Sequence, residues 1–280
     1  MKRRMCGIKG STLVEVMITT GLFSVLMVVL FMVFRYASEQ WRLAEGRNSL
    51  QTMMRKVETF LLEDVRRTSY GYLAVPNMPD GWRPGDYSLL EQAQKAKSPK
   101  AGNAFWCLSP VDYDSTGSVY VSRSNDGQLA WDHNVLYYVT EISNDLHQQI
   151  YGYGACPPGK CPHKWLMRKE ISQPLLLKPQ YGGSSGCSPI PASEFITEPR
   201  SGNYAKQMMN EESSKGLKRV QCLAQNVLAF TVTLDYPSVA VVVKTFRVEE
   251  ASKTGGLSST QMADSHQYTV QYNTYIVPNN

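Results

Sequence analysis

The chain has 280 residues, 29 Lys and Arg against 24 Asp and Glu, a formal charge of +5 and a mean hydropathy of −0.30. That length suits one or two domains; the low mean hydropathy excludes a polytopic membrane protein, and 42% hydrophobic with 10% aromatic residues excludes a wholly disordered chain. The basic excess and the six cysteines invite nucleic-acid, disulfide or metal readings, and position decides between them.

The first ten residues contain Lys2, Arg3, Arg4 and Lys9 and no acidic residue. Leu13 to Phe34 follows, 22 residues in which Glu15 is the single ionisable group. As a helix this run is about 33 Å long, enough to cross a hydrocarbon core of roughly 30 Å. The basic leader then places the amino terminus in the cytoplasm and the remaining residues outside it. A cleaved secretory signal fits poorly, because its apolar region runs only about 7–15 residues and Phe34-Arg35-Tyr36-Ala37 makes a poor cleavage site. A lipoprotein signal fails because Cys6 precedes the apolar run. A plain signal anchor leaves Glu15 unexplained, and a carboxylate inside a membrane helix costs about 2.5–3.5 kcal/mol.

The spacing supplies a reason for that carboxylate. Gly10 closes the basic leader, and Glu15 lies five residues beyond it. A cut between Gly10 and Ser11 gives Ser11 a free α-amino group with a pKa of about 7.7–8. Glu15, in the second turn of the new helix, can neutralise the amine of an adjacent subunit in a low-dielectric bundle, where an unpaired charge is expensive. Complementing the helix dipole, worth about 0.3–1 kcal/mol, is the simpler role for Glu15, but it leaves the glycine and the leader unexplained.

Lys9-Gly10-Ser11-Thr12-Leu13-Val14-Glu15-Val16 resembles the processing site of type IV prepilins and type II secretion pseudopilins. The resemblance implies a prepilin peptidase that cuts after Gly10 and methylates Ser11, with Glu15 as the assembly carboxylate. It further implies insertion in the inner membrane, other pilins or pseudopilins as partners, and the assembly platform of a secretion or pilus system. Ser11 departs from the phenylalanine usual in the family, which bears on methylation more than on cleavage. Major pilins carry a proline about twenty residues into the mature helix; Met32 stands there, and the first proline is Pro76, so the resemblance is to a minor subunit.

Beyond Phe34 the apolar residues thin to a stripe of Leu43, Leu50, Met54, Val57, Leu61 and Val65. Arg42, Arg47, Arg55, Glu58, Asp64 and Arg66 occupy other positions, the pattern of an amphipathic helix whose charges form a solvated face. Thr68-Ser69-Tyr70-Gly71 offers a stop, so one helix is expected over 11–68. Residues 72–104 read as a long connection with one short helix near Leu89–Ala96. Strands are expected at 103–108, 118–122, 135–142, 165–171, 227–236, 239–249 and 267–277, and 172–218 is expected to be mostly surface loop. The expected class is α+β: a long N-terminal helix, membrane-spanning in its first half, then a mainly antiparallel β head with long loops. The organisation is a leader at 1–10, a membrane or filament-core helix at 11–35, its amphipathic continuation at 36–70, and a periplasmic head at 71–280. Val135–Val139 followed by Trp165–Glu170 loosely resembles the paired strands of J-type minor pseudopilins.

Removing the leader removes Cys6 and leaves Cys107, Cys156, Cys161, Cys187 and Cys222. Cys156-Pro-Pro-Gly-Lys-Cys161 is a turn-rich loop in an expected oxidising compartment, which favours a Cys156–Cys161 disulfide; a second bridge among Cys107, Cys187 and Cys222 stays open. Zinc held by Cys156, Cys161, His163 and Cys187 is the alternative, with irregular spacing against it. Asp112-Tyr113-Asp114-Ser115-Thr116-Gly117 opens like a calcium loop, but Arg123 stands where a bidentate Glu is needed, so a hairpin turn is expected. His133, His147, His163 and His266 stand apart in sequence and are read as surface or partly buried residues. No catalytic motif or cofactor signature appears, and no metal site is assigned.

The function that follows is a non-catalytic minor pilin-like or pseudopilin subunit of a type II secretion pseudopilus or type IV pilus-like filament. Two other readings are a signal-anchored periplasmic binding or metal-binding protein and a DNA-uptake minor pilin. Lys95, Lys97, Lys100, Lys215, Lys218 and Arg219 give the last little support, because the leader holds most of the basic excess.

Overall fold

In the computed structural model, residues 12–75, 101–102, 104–113, 119–121, 123, 125–129, 131, 133–151, 163–172, 195–246 and 269–278 are described. Helix α1 spans Leu13–Arg67, within two residues of the expected limits at either end. Thr12 precedes it and accepts the Glu15 amide on Oγ1 at 3.4 Å, with Glu15 three residues on, the Thr-x-x-Glu arrangement of a capping box. By contact density the chain divides into two compact units, 1–49 and 50–280.

In the second unit, Leu50, Met54, Val57, Leu61 and Val65 are buried, so the expected stripe is the face that α1 presents to the core. The strands are β1 (Leu73–Ala74), β2 (Ala101–Gly102), β3 (Ala104–Ser109), β4 (Val111–Tyr113), β5 (Val119–Val121) and β6 (His133–Thr140). Helix α2 (Asn144–Tyr151) and β7 (Trp165–Ile171) follow, then helix α3 (Tyr204–Glu212) and strands β8 (Leu217–Gln225), β9 (Val227–Asp235), β10 (Ser238–Phe246) and β11 (Thr269–Ile276). Among the described residues three antiparallel sheets result, two large ones in the orders β1-β3-β6-β7-β8 and β11-β10-β9-β2 and a two-stranded one of β4 and β5. The chain is therefore α+β, a long N-terminal helix followed by antiparallel sheets.

The first sheet is covered on both faces around β6 and β7, which are buried at every position, β7 despite Arg168, Lys169 and Glu170 at its centre. Val135, Tyr137, Val139 and Leu166 join a core with α1 and with β9, β10 and β11 of the second sheet. Leu136, Tyr138, Trp165 and Met167 join a second core with Leu146 of α2, Met208 of α3, Phe195 and Ile196. Alternation along each strand thus feeds two cores rather than one core and solvent.

Several expectations need correction. Residues 173–194 lie outside the described residues, but 195–218 is not simply surface loop as expected: Phe195, Ile196 and Met208 are buried, α3 forms, and β8 begins at Leu217. Strand β8 was not anticipated, because Lys218 and Arg219 interrupt its apolar positions on the exposed side. Asp64 is not on a solvated face; it is 3% exposed, whereas Arg42, Arg47, Arg55 and Arg66 are exposed as expected. His133, His147 and His163 are all buried, beyond the surface or partly buried positions expected, and His266 lies outside the described residues. Val111–Tyr113 does pair with Val119–Val121, as a hairpin requires. The short helix expected near Leu89–Ala96 lies outside the described residues.

Candidate functional site

The first half of α1 is the largest apolar surface on the described residues. Leu13, Val14, Val16, Met17, Ile18, Leu22, Phe23 and every large apolar residue from Val25 to Phe34 are about half exposed or more. The most apolar window has a hydropathy of 2.5 and none of it is buried, so this helix is long and apolar enough to cross a membrane. Each such side chain left in water forgoes about 1.5–3 kcal/mol of burial, so a run of this length requires lipid or other helices around it.

The polar groups on this stretch are largely met from within. Thr19 Oγ1 donates to the Glu15 carbonyl at 2.9 Å, Thr20 Oγ1 to the Val16 carbonyl at 2.8 Å, and Ser24 Oγ to the Thr20 carbonyl at 2.8 Å. Hydroxyls bonded back to the preceding turn can enter an apolar medium at little cost. Glu15 sits in the first turn and is exposed, so its carboxylate is the feature of the apolar segment able to pair with a positive charge from outside. Gly10 and Ser11 lie outside the described residues.

The later turns of α1 are fixed to the head by a buried ionic cluster. Arg168 on β7 donates from Nε to Asp64 Oδ2 at 2.7 Å and from Nη2 to Asp64 Oδ1 at 2.9 Å, a bidentate pair. Its Nη1 also binds Glu170, the Tyr137 hydroxyl donates to Asp64, and the guanidinium lies 5.0 Å from the centre of the Phe60 ring. Burial opposes the Arg168 charge, but Tyr137, Asp64 and Glu170 outweigh it and raise the pKa. Burial first, then Asp64, raises the Tyr137 hydroxyl well above its ordinary value, so it stays a donor. The cleft beside this cluster has a volume of about 20 Å³, lined by Asp64, Arg67, His133, Glu170 and Lys218 among others. That is room for a water molecule and not for an organic substrate.

The next residue along β7 points the other way and does the same for α3. Lys169 is fully buried and donates to Glu212 at 2.6 and 2.8 Å, to the Phe195 carbonyl at 2.8 Å and to Thr197 Oγ1 at 2.9 Å. Burial pulls its ammonium down to about 8, with Glu212 opposing. Two adjacent cations on one strand thus hold two helices on opposite faces of the sheet, each through one carboxylate. Sequence reasoning passed over both pairs, because their partners lie 104 and 43 residues apart.

Of the other candidates, Cys107 is buried and Cys222 half-buried, and both are free thiols, so the second disulfide does not form between them. Burial pushes the Cys222 thiol up to about 12 and raises Cys107 well above its ordinary value. Cys156, Cys161 and Cys187 lie outside the described residues. Among the described residues no group of three or more His, Cys, Asp and Glu is placed to hold a metal. His147 and His163 do come together, with ring centres 5.2 Å apart, and Asn226 Oδ1 lies 3.0 Å from His163 Nδ1. Burial lowers His163 to about 4, against the opposing Asn226 bond, so the ring is neutral. Lys218 and Arg219 are exposed on β8, while Lys95, Lys97 and Lys100 lie outside the described residues. Comparison of the chain with protein-family models, curated proteins and solved structures returns no match.

Proposed function

We propose that this chain is a minor pilin-like or pseudopilin subunit of a type IV pilus-like filament or a type II secretion pseudopilus. One observation carries the reading: an apolar helical run, exposed on every side, with a single carboxylate near its start, continuous with turns that an antiparallel head buries and pins. Before assembly the run resides in the inner membrane. Prepilin peptidase cuts after Gly10 and methylates Ser11, Glu15 pairs with the amino terminus of a neighbouring subunit, and the helix passes from lipid into the filament core. Exchange of lipid for neighbouring helices keeps the apolar side chains out of water throughout. The charge pairing is strongest where water is excluded, which ties it to the assembled state. The role is associative and needs no catalytic group on this chain.

Mass spectrometry of the membrane-extracted protein tests the reading. Cells with active prepilin peptidase are expected to yield a chain beginning at Ser11, and an intact Met1 terminus in those cells overturns the proposal. Glu15→Ala is expected to be cleaved normally yet fail to enter sheared filaments.

A further inference from the structure

A sheet edge carries a row of backbone N–H and C=O groups able to pair with another strand, and folded proteins blunt such edges with very short strands, lysines, prolines or bulges. Three of the four edges of the two large sheets are blunted in this way. Strands β1 and β2 are each two residues long. Strand β8 carries exposed Lys218 and Arg219, and its register against β7 shifts twice. Side chains of α3 and α1 also occupy the Cys222 backbone: its amide donates to the Tyr204 hydroxyl at 3.1 Å, and its carbonyl accepts from Lys56 Nζ at 2.9 Å.

Strand β11 has none of these features. It is eight residues long, Thr269-Val-Gln-Tyr-Asn-Thr-Tyr-Ile276, without Lys, Arg, Asp, Glu, Pro or Gly, and its register against β10 runs unbroken from end to end. Among the described residues β10 is its single neighbour in the sheet. Its faces alternate: Val270 and Tyr272 pack on the core and Ile276 is buried, whereas Gln271, Asn273 and Tyr275 are exposed, Tyr275 at 77%.

The strand is also complementary to itself. In an antiparallel pair, residues directly opposite lie on the same face. A two-fold axis at Asn273 sets Asn273 against itself, Gln271 against Tyr275, Tyr272 against Thr274 and Val270 against Ile276, so exposed positions meet exposed ones and core-facing positions meet core-facing ones. An axis between two residues would oppose unlike faces. An axis at Tyr272 or Thr274 keeps the faces but leaves Ile276 or Val270 unopposed within the strand. No like charges meet, because the strand carries none, and the edge offers no counter-charge to select a charged partner.

We propose that β11 pairs antiparallel with β11 of a second copy of this chain, joining the two four-stranded sheets into one continuous sheet across a two-fold axis at Asn273. The contact involves the head alone, so it neither needs cleavage after Gly10 nor falls with it.

Sedimentation velocity of the full chain in detergent reads the oligomeric state, and charges at position 273 tie it to this edge. The wild-type chain is expected to dimerise. Asn273→Lys and Asn273→Asp each set like charges face to face on the axis and are each expected to weaken the dimer about fivefold, whereas their equimolar mixture is expected to restore it. Restoration also shows that both variants fold. Asn273→Cys adds a covalent reading: opposed Cα atoms about 4.5–5.5 Å apart lie within disulfide reach, so oxidation is expected to link two chains through position 273. Lys244→Cys, on β10 and three strand spacings or about 14 Å from its counterpart, is expected to stay unlinked. A monomeric wild-type chain, a dimer indifferent to both charges, a mixture no tighter than its parts, or linking at position 273 no greater than at 244 overturns the proposal.

Discussion

The two halves of α1 carry one carboxylate each at a position that matters, and the surroundings give those carboxylates opposite meanings. Glu15 stands exposed on a run that is apolar all round, and Leu13 to Phe34 holds no Lys or Arg. Asp64 stands on a stripe, buried, and is already bound by Arg168 and Tyr137. A helix apolar on every side is a segment waiting for an environment, whereas a helix apolar on one side has found its environment in its own fold.

Substitution of the two acids separates these meanings most sharply. Asp64→Ala leaves a buried guanidinium short of its main partner and is expected to cost the head about 3–5 kcal/mol. Glu15→Ala is expected to leave head stability unchanged, both read by denaturant unfolding of the full chain in detergent. Equal losses would erase the contrast. The apolar residues give a second version: Leu61→Ala, at a fully buried position, is expected to cost about 2–5 kcal/mol, and Leu26→Ala, on the exposed run, nothing measurable in the same assay.

pH sharpens the comparison further. Burial raises Cys107, Cys222, Tyr137 and Tyr138, so the fold keeps protons that the unfolded chain sheds from about pH 8.5 for thiols and about 10 for tyrosines. Their stabilisation is complete below those values and is lost as pH rises. Lys169, lowered to about 8, works in the opposite sense between there and the ordinary lysine value of about 10.4, because the unfolded chain then holds the extra proton. With Tyr70, Tyr204 and Tyr272 also raised by burial, the raised groups outnumber the one lysine and predict a lower melting temperature at pH 10.5 than at pH 8, with α-helical signal from the exposed run persisting after the head melts. The smallest effect belongs to the surface pair Arg35–Glu39, 3.7 Å apart and exposed: Arg35→Ala is expected to change stability by less than about 0.5 kcal/mol.

What the sequence made legible was whatever local pattern encodes. The stripe from Leu50 to Val65, the run of large side chains opening 165–171 and the β-branched run at 227–236 are local signals, and those elements lie within a residue or so of where they are expected. Asp64 reads as a solvated helix charge because an acid next to Glu63 looks like any other until Arg168, remote in sequence, is brought over it. Helix α3 and strand β8 escape the local pattern for a related reason: Tyr204–Glu212 has few large apolar residues, and it is Lys169 from β7 that offsets the cost of burying Glu212. His147 and His163 likewise become neighbours only once α2 folds back against the start of β7. Of the residues proposed to act in assembly, Glu15 stands out in the sequence by its isolation among apolar neighbours.

The division of β6 and β7 between two cores has a consequence for how the head comes apart. Side chains from Val135 to Val139 alternate between the core under α1 and the core under α2 and α3, so neither core can loosen without drawing the shared strands with it. Such a wall links the two cores into one cooperative unit. Backbone amides of Val135–Val139 and Leu166–Lys169 are therefore expected to be the last to exchange with deuterium, opening only when the entire head unfolds.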